Sequence, residues 1–158
     1  MAEILVIYDS RTGNTEKMAF AIAEGANQIG VEVSVRKVDD TSVQDLLNAD
    51  GIVMGSPTYY GQMSAKLKAL IDQSIKIHGK LQGKVGAAFT SSGGTASGAE
   101  TTLLSIIEAM LIHGMIVQGR THEGHYGAAA AGSPNKRELE ACQDLGKKVT
   151  DLVQKLKL

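Results

Sequence analysis

The chain has 158 residues, 43% of them hydrophobic and 21% charged. That is the size and balance of a globular protein built on one core. Sixteen Lys+Arg against seventeen Asp+Glu leave a net charge of −1, which speaks against nucleic acid or an anionic membrane as the main partner, and against a strongly acidic carrier that docks by charge. The single cysteine, Cys142, excludes an internal disulfide and suits a reducing cytoplasm, and no apolar stretch is long enough for a signal peptide or a bilayer span.

Taken in order, Ile4-Leu5-Val6-Ile7-Tyr8 is a continuous apolar strand, as in a sheet buried on both faces. It runs into Ser10-Arg11-Thr12-Gly13-Asn14-Thr15. A helical pattern over 14–29 follows, with Met18, Ile22, Gly25 or Ala26, and Ile29 as its stripe, stopped by Gly30. The loop between such a strand and helix collects free backbone N–H groups and the positive end of the helix dipole, so it suits an anion, most often a phosphate. The plainer reading is that Ser10 and Thr12 only cap the helix. Val31 to Val38 alternates as an edge strand does, and a short helix over Ser42–Asn48 follows. Gly51-Ile52-Val53-Met54 is a short buried strand that opens into the loop Gly55-Ser56-Pro57-Thr58-Tyr59-Tyr60-Gly61.

Ser64 caps a helix running to about Ile77, with Leu67, Leu70, Ile71 and Ile75 on its apolar side. Lys84 to Phe89 is the fourth strand, and the glycine-rich stretch from Thr90 through Ser91, Ser92, Gly93, Gly94 and Thr95 to Gly98 is its loop. Residues 99–112 are helical, and Thr101 to Ile112 is apolar on most sides, a width that suits either deep burial in the monomer or, the favoured reading, a subunit interface and hence a homo-oligomer. Met115-Ile116-Val117 starts a fifth strand, residues 119–127 interrupt it, and Ala128–Ala131 completes it. Ser133-Pro134 opens the last helix, with proline at its first position and Leu139, Cys142, Leu145 and Val149 on the core stripe.

Five strand-then-helix units predict an α/β protein, one domain over 1–158. The expected architecture is a three-layer α/β/α sandwich on a five-stranded parallel sheet of order 2-1-3-4-5. Ligands of such sheets sit outside the carboxyl ends of the strands, where loops 9–15, 55–63 and 90–98 meet. A dinucleotide fingerprint fails after the first strand, a P-loop lysine is missing, and no phosphate-accepting aspartate ends strand 3. His122 and His125 lack the spacing of a zinc motif, and His78 and His113 are read as surface residues at helix ends.

Ser10-Arg11-Thr12-Gly13-Asn14-Thr15 resembles the FMN phosphate loop of flavodoxins. The later motifs resemble the tryptophan repressor-binding-protein family of NAD(P)H:quinone oxidoreductases. They are Gly55 to Met63, Phe89-Thr90-Ser91-Ser92-Gly93-Gly94, Glu100-Thr101-Thr102, His113-Gly114-Met115 and Tyr126-Gly127-Ala128. The resemblance spans the chain and implies non-covalently bound FMN, with its phosphate in loop 10–15 and its ring between loops 56–61 and 91–98. The phosphate is then expected on the N–H groups of 11–15 and the hydroxyls of Ser10, Thr12 and Thr15. One of Tyr59 and Tyr60 is expected to stack on the ring and the N–H groups of 92–95 to meet its pyrimidine end; in a dimer or tetramer His113 and Tyr126 would lie near a neighbouring subunit's flavin. The chain departs from that family in being shorter, and in carrying Tyr59-Tyr60 where a basic residue and Phe are usual. The implied function is electron transfer through FMN to a redox partner protein. The alternative is hydride transfer from NAD(P)H to a quinone.

Overall fold

The computed structural model describes residues 1–157. Its elements are β1 (Ala2–Tyr8), α1 (Asn14–Ala26), β2 (Val31–Lys37), α2 (Val43–Asn48), β3 (Gly51–Pro57), α3 (Ala65–Gln73), β4 (Val85–Ser92), α4 (Ala99–Ile112), β5 (Ile116–Val117), β6 (Ala128–Ala131) and α5 (Lys136–Leu156). All strands pair in parallel in the order β2-β1-β3-β4-β5, with β6 also on β4. This is the expected flavodoxin-like sheet. The fifth strand is in two pieces: Ile116–Val117 pairs with Val85–Gly86, and Ala128–Ala131 with Phe89–Ser92.

The alternation of β1 divides the core. Ile4, Val6 and Tyr8 join Met18 and Ile22 of α1 and Cys142, Leu145 and Val149 of α5 on one face. Leu5 and Ile7 join Leu46, Leu67, Leu70, Leu103, Ile106 and Met110 on the other. A residue such as Ile22, fully buried, contributes about 1.5–3 kcal/mol by leaving water. Cys142 is the buried packing residue its stripe predicted, and burial pushes its thiol up to about 12.

Several boundaries differ from the sequence reading. β3 and β4 run through Pro57 and Ser92 into stretches expected to be loops. Their hydroxyls are consumed inside the sheet: Thr90 Oγ1 donates to the Ser56 carbonyl at 2.7 Å, and Ser56 Oγ donates to the Pro57 carbonyl at 2.8 Å. Polar side chains that satisfy one another extend a buried strand without cost in unpaired groups. Pro134 is not the first residue of α5. Asn135 caps it: its Oδ1 accepts the Glu138 N–H at 2.9 Å, and its own N–H donates to the Glu138 carboxylate at 2.8 Å. This reciprocal pair outcompetes a proline start. α1 ends at Ala26, which leaves Ile29 fully exposed, and α3 tightens into a 3₁₀ turn over Ser74–Ile77 that turns Ile75 outward. The broad apolar helix α4 spends Leu103, Ile106, Ile107 and Met110 on its own sheet, leaving Leu111 and Ile112 exposed at its end.

His113 is not a simple surface residue. Ser74 Oγ donates its one proton to the Ile71 carbonyl at 2.6 Å, so at the 2.6 Å contact with His113 Nε2 the ring must be the donor. Nδ1 then carries the lone pair, buried and without a partner among the described residues. Burial, aided by His78 at 5.7 Å, holds the His113 pKa below the usual histidine value. The sign follows. The depressed folded pKa gives stability that is present above the unfolded value of about 6.5 and is lost as pH falls toward the folded value. The midpoint of thermal unfolding should drop between pH 7.5 and 5.5. His113→Gln should remove that part of the drop, and an unchanged pH profile in the variant would refute the assignment.

Candidate functional site

At the carboxyl ends of β1, β3 and β4 lies an open cleft of about 190 Å³. Its walls come from Arg11, Thr12, Asn14 and Thr15 after β1, from Pro57, Thr58 and Tyr59 after β3, and from Ser91, Ser92 and Gly93 after β4. Three segments far apart in sequence meet because parallel strands present all their carboxyl ends on one edge.

The first segment ends in an unusual helix start. Gly13 occupies the N-cap with φ 92°, in the left-handed region, and no side chain caps α1. Ser10 Oγ accepts the Gly13 N–H at 3.1 Å, closing the turn rather than capping the helix. Among the described residues the amides of Thr12, Asn14, Thr15 and Glu16 meet no protein acceptor. A helix end left with free amides is an anion cradle. Glu16, the first-turn carboxylate, is held by the Tyr8 hydroxyl at 2.5 Å. Burial, and secondarily that carboxylate, push the Tyr8 phenol up to about 12. Among the described residues no acidic side chain lines the cleft, and Arg11, which is exposed, is the one formally charged side chain in its wall.

The other two segments are braced against each other. The Thr58 N–H donates to the Ser91 carbonyl at 2.7 Å, and the Thr58 and Thr90 hydroxyls meet at 2.8 Å. Tyr59 and Gln62 exchange both backbone hydrogen bonds at 3.0 Å, around Tyr60 at φ 51° and Gly61 at φ 73°. Two consecutive positive φ values make this a type I′ turn, which is costly for a residue with a side chain such as Tyr60. Beyond β4 the amides of Gly93, Gly94 and Thr95 meet no protein acceptor among the described residues, while Ser92 Oγ donates to the Gly94 carbonyl at 2.9 Å.

Of the residues singled out from sequence, the cleft therefore brings together Arg11, Thr12, Asn14, Thr15, Pro57, Thr58, Tyr59, Ser91, Ser92 and Gly93. Ser10, Gly13 and Ser56 are not among its walls. Thr15 is buried, and its hydroxyl meets Ser91 Oγ at 2.7 Å, which ties the first loop to the third. Tyr60 is fully exposed and Tyr126 half exposed, and neither they nor Gly61, Gly94 and Thr95 line the cleft. Gly132 was missed. It lines the cleft and donates its N–H to the Ser92 carbonyl at 2.7 Å. Its signal was its place at the carboxyl end of the last strand segment, next to β4.

A doubly wound sheet of this order, with an uncapped first helix over a hydroxyl-lined cleft, defines a mononucleotide-binding protein of flavodoxin type. Comparison with known proteins narrows the class. The model of the NADPH-dependent FMN reductase family matches residues 40–122. A flavodoxin of Aquifex aeolicus is 43% identical over 162 aligned positions, covering 97% of this chain and 88% of that protein. An NAD(P)H dehydrogenase (quinone) of Archaeoglobus fulgidus is 36% identical over 190 positions, covering 99% of this chain and all of that protein. The crystal structure of a WrbA-like flavodoxin from Agrobacterium tumefaciens superposes with a TM-score of 0.83 at 27% identity, over 98% of this chain and 99% of that one. The chain belongs to this flavodoxin-like FMN reductase family and is an FMN-dependent redox protein.

The two alignments differ in length. Against the quinone dehydrogenase, at least 190 − 158 = 32 positions have no counterpart in this chain; against the flavodoxin, whose alignment takes up 97% of the chain, or about 153 residues, the minimum is 162 − 153 = 9, with 12% of that protein outside the alignment. Among the described residues no helix is long and apolar enough to cross a membrane.

Proposed function

We propose that this chain is a single-domain, cytoplasmic electron carrier of flavodoxin type that holds FMN without a covalent bond in the cleft. The residues fit that guest. The unpaired amides of Thr12, Asn14, Thr15 and Glu16 suit the phosphate dianion, with Thr12 and Asn14 adding side-chain donors. The hydroxyls of Ser10 and Thr15 also brace the loop, Ser10 Oγ by accepting the Gly13 N–H and Thr15 Oγ1 by meeting Ser91 Oγ, and each retains hydrogen-bonding capacity for the phosphate. Tyr59 is the aromatic wall, placed to stack on a flavin ring. Tyr60 and Tyr126 are assigned to the partner-facing surface. The free amides of Gly93 to Thr95 suit the carbonyl oxygens of the pyrimidine end. When bound, FMN supplies the one- and two-electron chemistry; the protein binds, orients and partly shields it.

The observation that carries the carrier reading is the shortage of insertions inside the aligned region. There the chain lacks at least 32 positions of the quinone dehydrogenase alignment, against a minimum of about 9 for the flavodoxin, although 12% of that flavodoxin lies outside the alignment. A cleft open at one edge suffices for electron transfer to a partner protein, whereas hydride transfer from NAD(P)H needs a second ligand ordered over the ring. The second reading, NAD(P)H:quinone oxidoreductase, is favoured by relatives of that name at 34–36% identity over nearly the whole chain. The test is aerobic oxidation of NADH or NADPH with a benzoquinone by FMN-loaded protein. The carrier reading expects no turnover above free FMN, together with rapid reoxidation of the reduced protein by an electron-accepting protein. Catalytic turnover sinks it and makes the chain an enzyme. A homo-oligomer, if formed, would rest on Leu111 and Ile112, the exposed end of α4.

A further inference from the structure

A second cavity, about 350 Å³, lies beside β6 and shares no residue with the cleft. Arg120, Gly124, Ala129, Arg137 and Glu138 are among its walls. Its unusual member is Arg120, only 8% exposed. One guanidinium nitrogen, Nη2, donates to the Asp144 carboxylate at 3.1 Å and to the Ala141 carbonyl at 3.3 Å. The other two, Nε and Nη1, are buried and have no acceptor among the described residues. Burying cationic N–H groups without acceptors is among the costlier things a fold can do. It is tolerated where something outside the chain completes the bonding.

The surrounding loop holds the arginine in place. The Arg120 N–H donates to the His125 carbonyl at 3.1 Å, His125 Nδ1 donates back to the Arg120 carbonyl at 2.8 Å, and the Gly127 N–H donates to the Gly124 carbonyl at 3.1 Å. Nη1 sits against Gly124, where an added Cβ would come within 3.4 Å of it. Arg137 adds a second guanidinium to the wall, engaged with Glu123.

We propose that this cavity is a binding site for a small oxyanion, a carboxylate or a phosphate, held by the spare N–H groups of Arg120 with Arg137 at its rim. Guanidinium geometry matches both oxyanions, and charge-assisted bonds of this kind are the strong ones. The proposal is independent of the FMN reading, because the two sites have separate walls.

FMN-loaded protein is titrated separately with sodium phosphate and sodium acetate, with matched chloride as the ionic-strength control. The readout is the Nε–H resonance of Arg120 together with the amides of Gly124 and Ala129 by ¹H–¹⁵N NMR. A saturable shift of these signals with either anion supports the site, and the anion that produces it identifies the ligand class as phosphate or carboxylate. Arg120→Gln should abolish the response, but it also removes the ion pair to Asp144 and can unfold the loop. Ala129→Glu is therefore the second variant. It places a carboxylate on the cavity wall from an exposed strand position, and it should weaken binding by about tenfold or more. No saturable shift with either anion overturns the proposal. So do shifts confined to residues 10–15, or binding unchanged in Ala129→Glu.

Discussion

Thr12→Glu should strip the protein of FMN while leaving its fold intact. Thr12 lies on the exposed lip of the cleft, beside the unpaired amides at the start of α1. A carboxylate there would occupy the amide cradle itself and repel the phosphate dianion. At about 4 Å and an effective dielectric near 20, one pair of unit charges costs about 4 kcal/mol. Discounted for the partial exposure of the lip, a penalty of about 3 kcal/mol corresponds to a Kd raised on the order of a hundredfold. Thr12→Gln, of similar size and uncharged, should lose less than about tenfold, since it gives up at most one neutral hydrogen bond. Flavin fluorescence titration of the apoprotein measures both values, and thermal unfolding of the apoprotein should not distinguish the variants. Equal losses in the two would mean that charge at this lip is irrelevant and that the phosphate lies elsewhere.

Gly146→Ala should strongly destabilise the molecule. α1 and α5 cross face to face, and at the crossing a Cβ on Gly146 would stand 2.0 Å from the Ile22 carbonyl oxygen and 2.8 Å from the Ala26 nitrogen. On the other helix, a Cβ on Gly25 would stand 1.8 Å from the Gln143 carbonyl oxygen. These are backbone atoms, so no rotamer change relieves the contact, and the helices must move apart. That would pull on the buried bond from Thr150 Oγ1 to the Ala26 carbonyl, 2.9 Å, and on the packing of Ile22 against Leu145 and Val149. Overpacking typically costs about 1–3 kcal/mol. With a rigid backbone contact the upper figure applies, a fall of roughly 6–12 °C in Tm for a domain of this size. Ordinary helix propensity predicts the opposite, a gain of about 1 kcal/mol for replacing a mid-helix glycine by alanine. The sign of the Tm change thus separates close helix packing from propensity.

That second case marks what the sequence could and could not say. The order of elements, the parallel sheet and the three-loop cleft were legible because each rests on a local pattern. Ile4–Tyr8 is apolar without a break, Met18 and Ile22 fall at helical spacing, and each buried strand ends in small and hydroxylic residues. Most of the cleft wall, from Arg11 to Thr15, Pro57 to Tyr59 and Ser91 to Gly93, followed from the rule that ligands sit at the carboxyl ends of parallel strands. Residues 10–15 by themselves left a helix cap and a phosphate loop equally open. The structure decided the first point by putting Gly13, not a side-chain acceptor, at the helix start. Membership of the FMN reductase family fixed the cofactor class.

What remained hidden depends on contacts between segments distant in sequence. Whether Thr15 serves a ligand alone or also braces Ser91 depends on a neighbour 76 residues away. Whether Tyr59 or Tyr60 enters the cleft depends on a turn in which Tyr60, like Gly61, takes a positive φ that no propensity predicts for a tyrosine. His113 looks like a helix-end surface residue until Ser74 fixes its tautomer, and Arg120 looks like a loop charge until the fold buries it without acceptors. The sequence by itself determined the sheet, its order and the edge on which a ligand sits, because strand and helix periodicities and the handedness of crossovers are local properties. Only the tertiary structure decided which hydroxyls are free, which aromatic faces the cleft, and why Gly25 and Gly146 must be glycine. Hydrogen-bond partners and backbone separations are set by whatever the fold brings within a few ångströms.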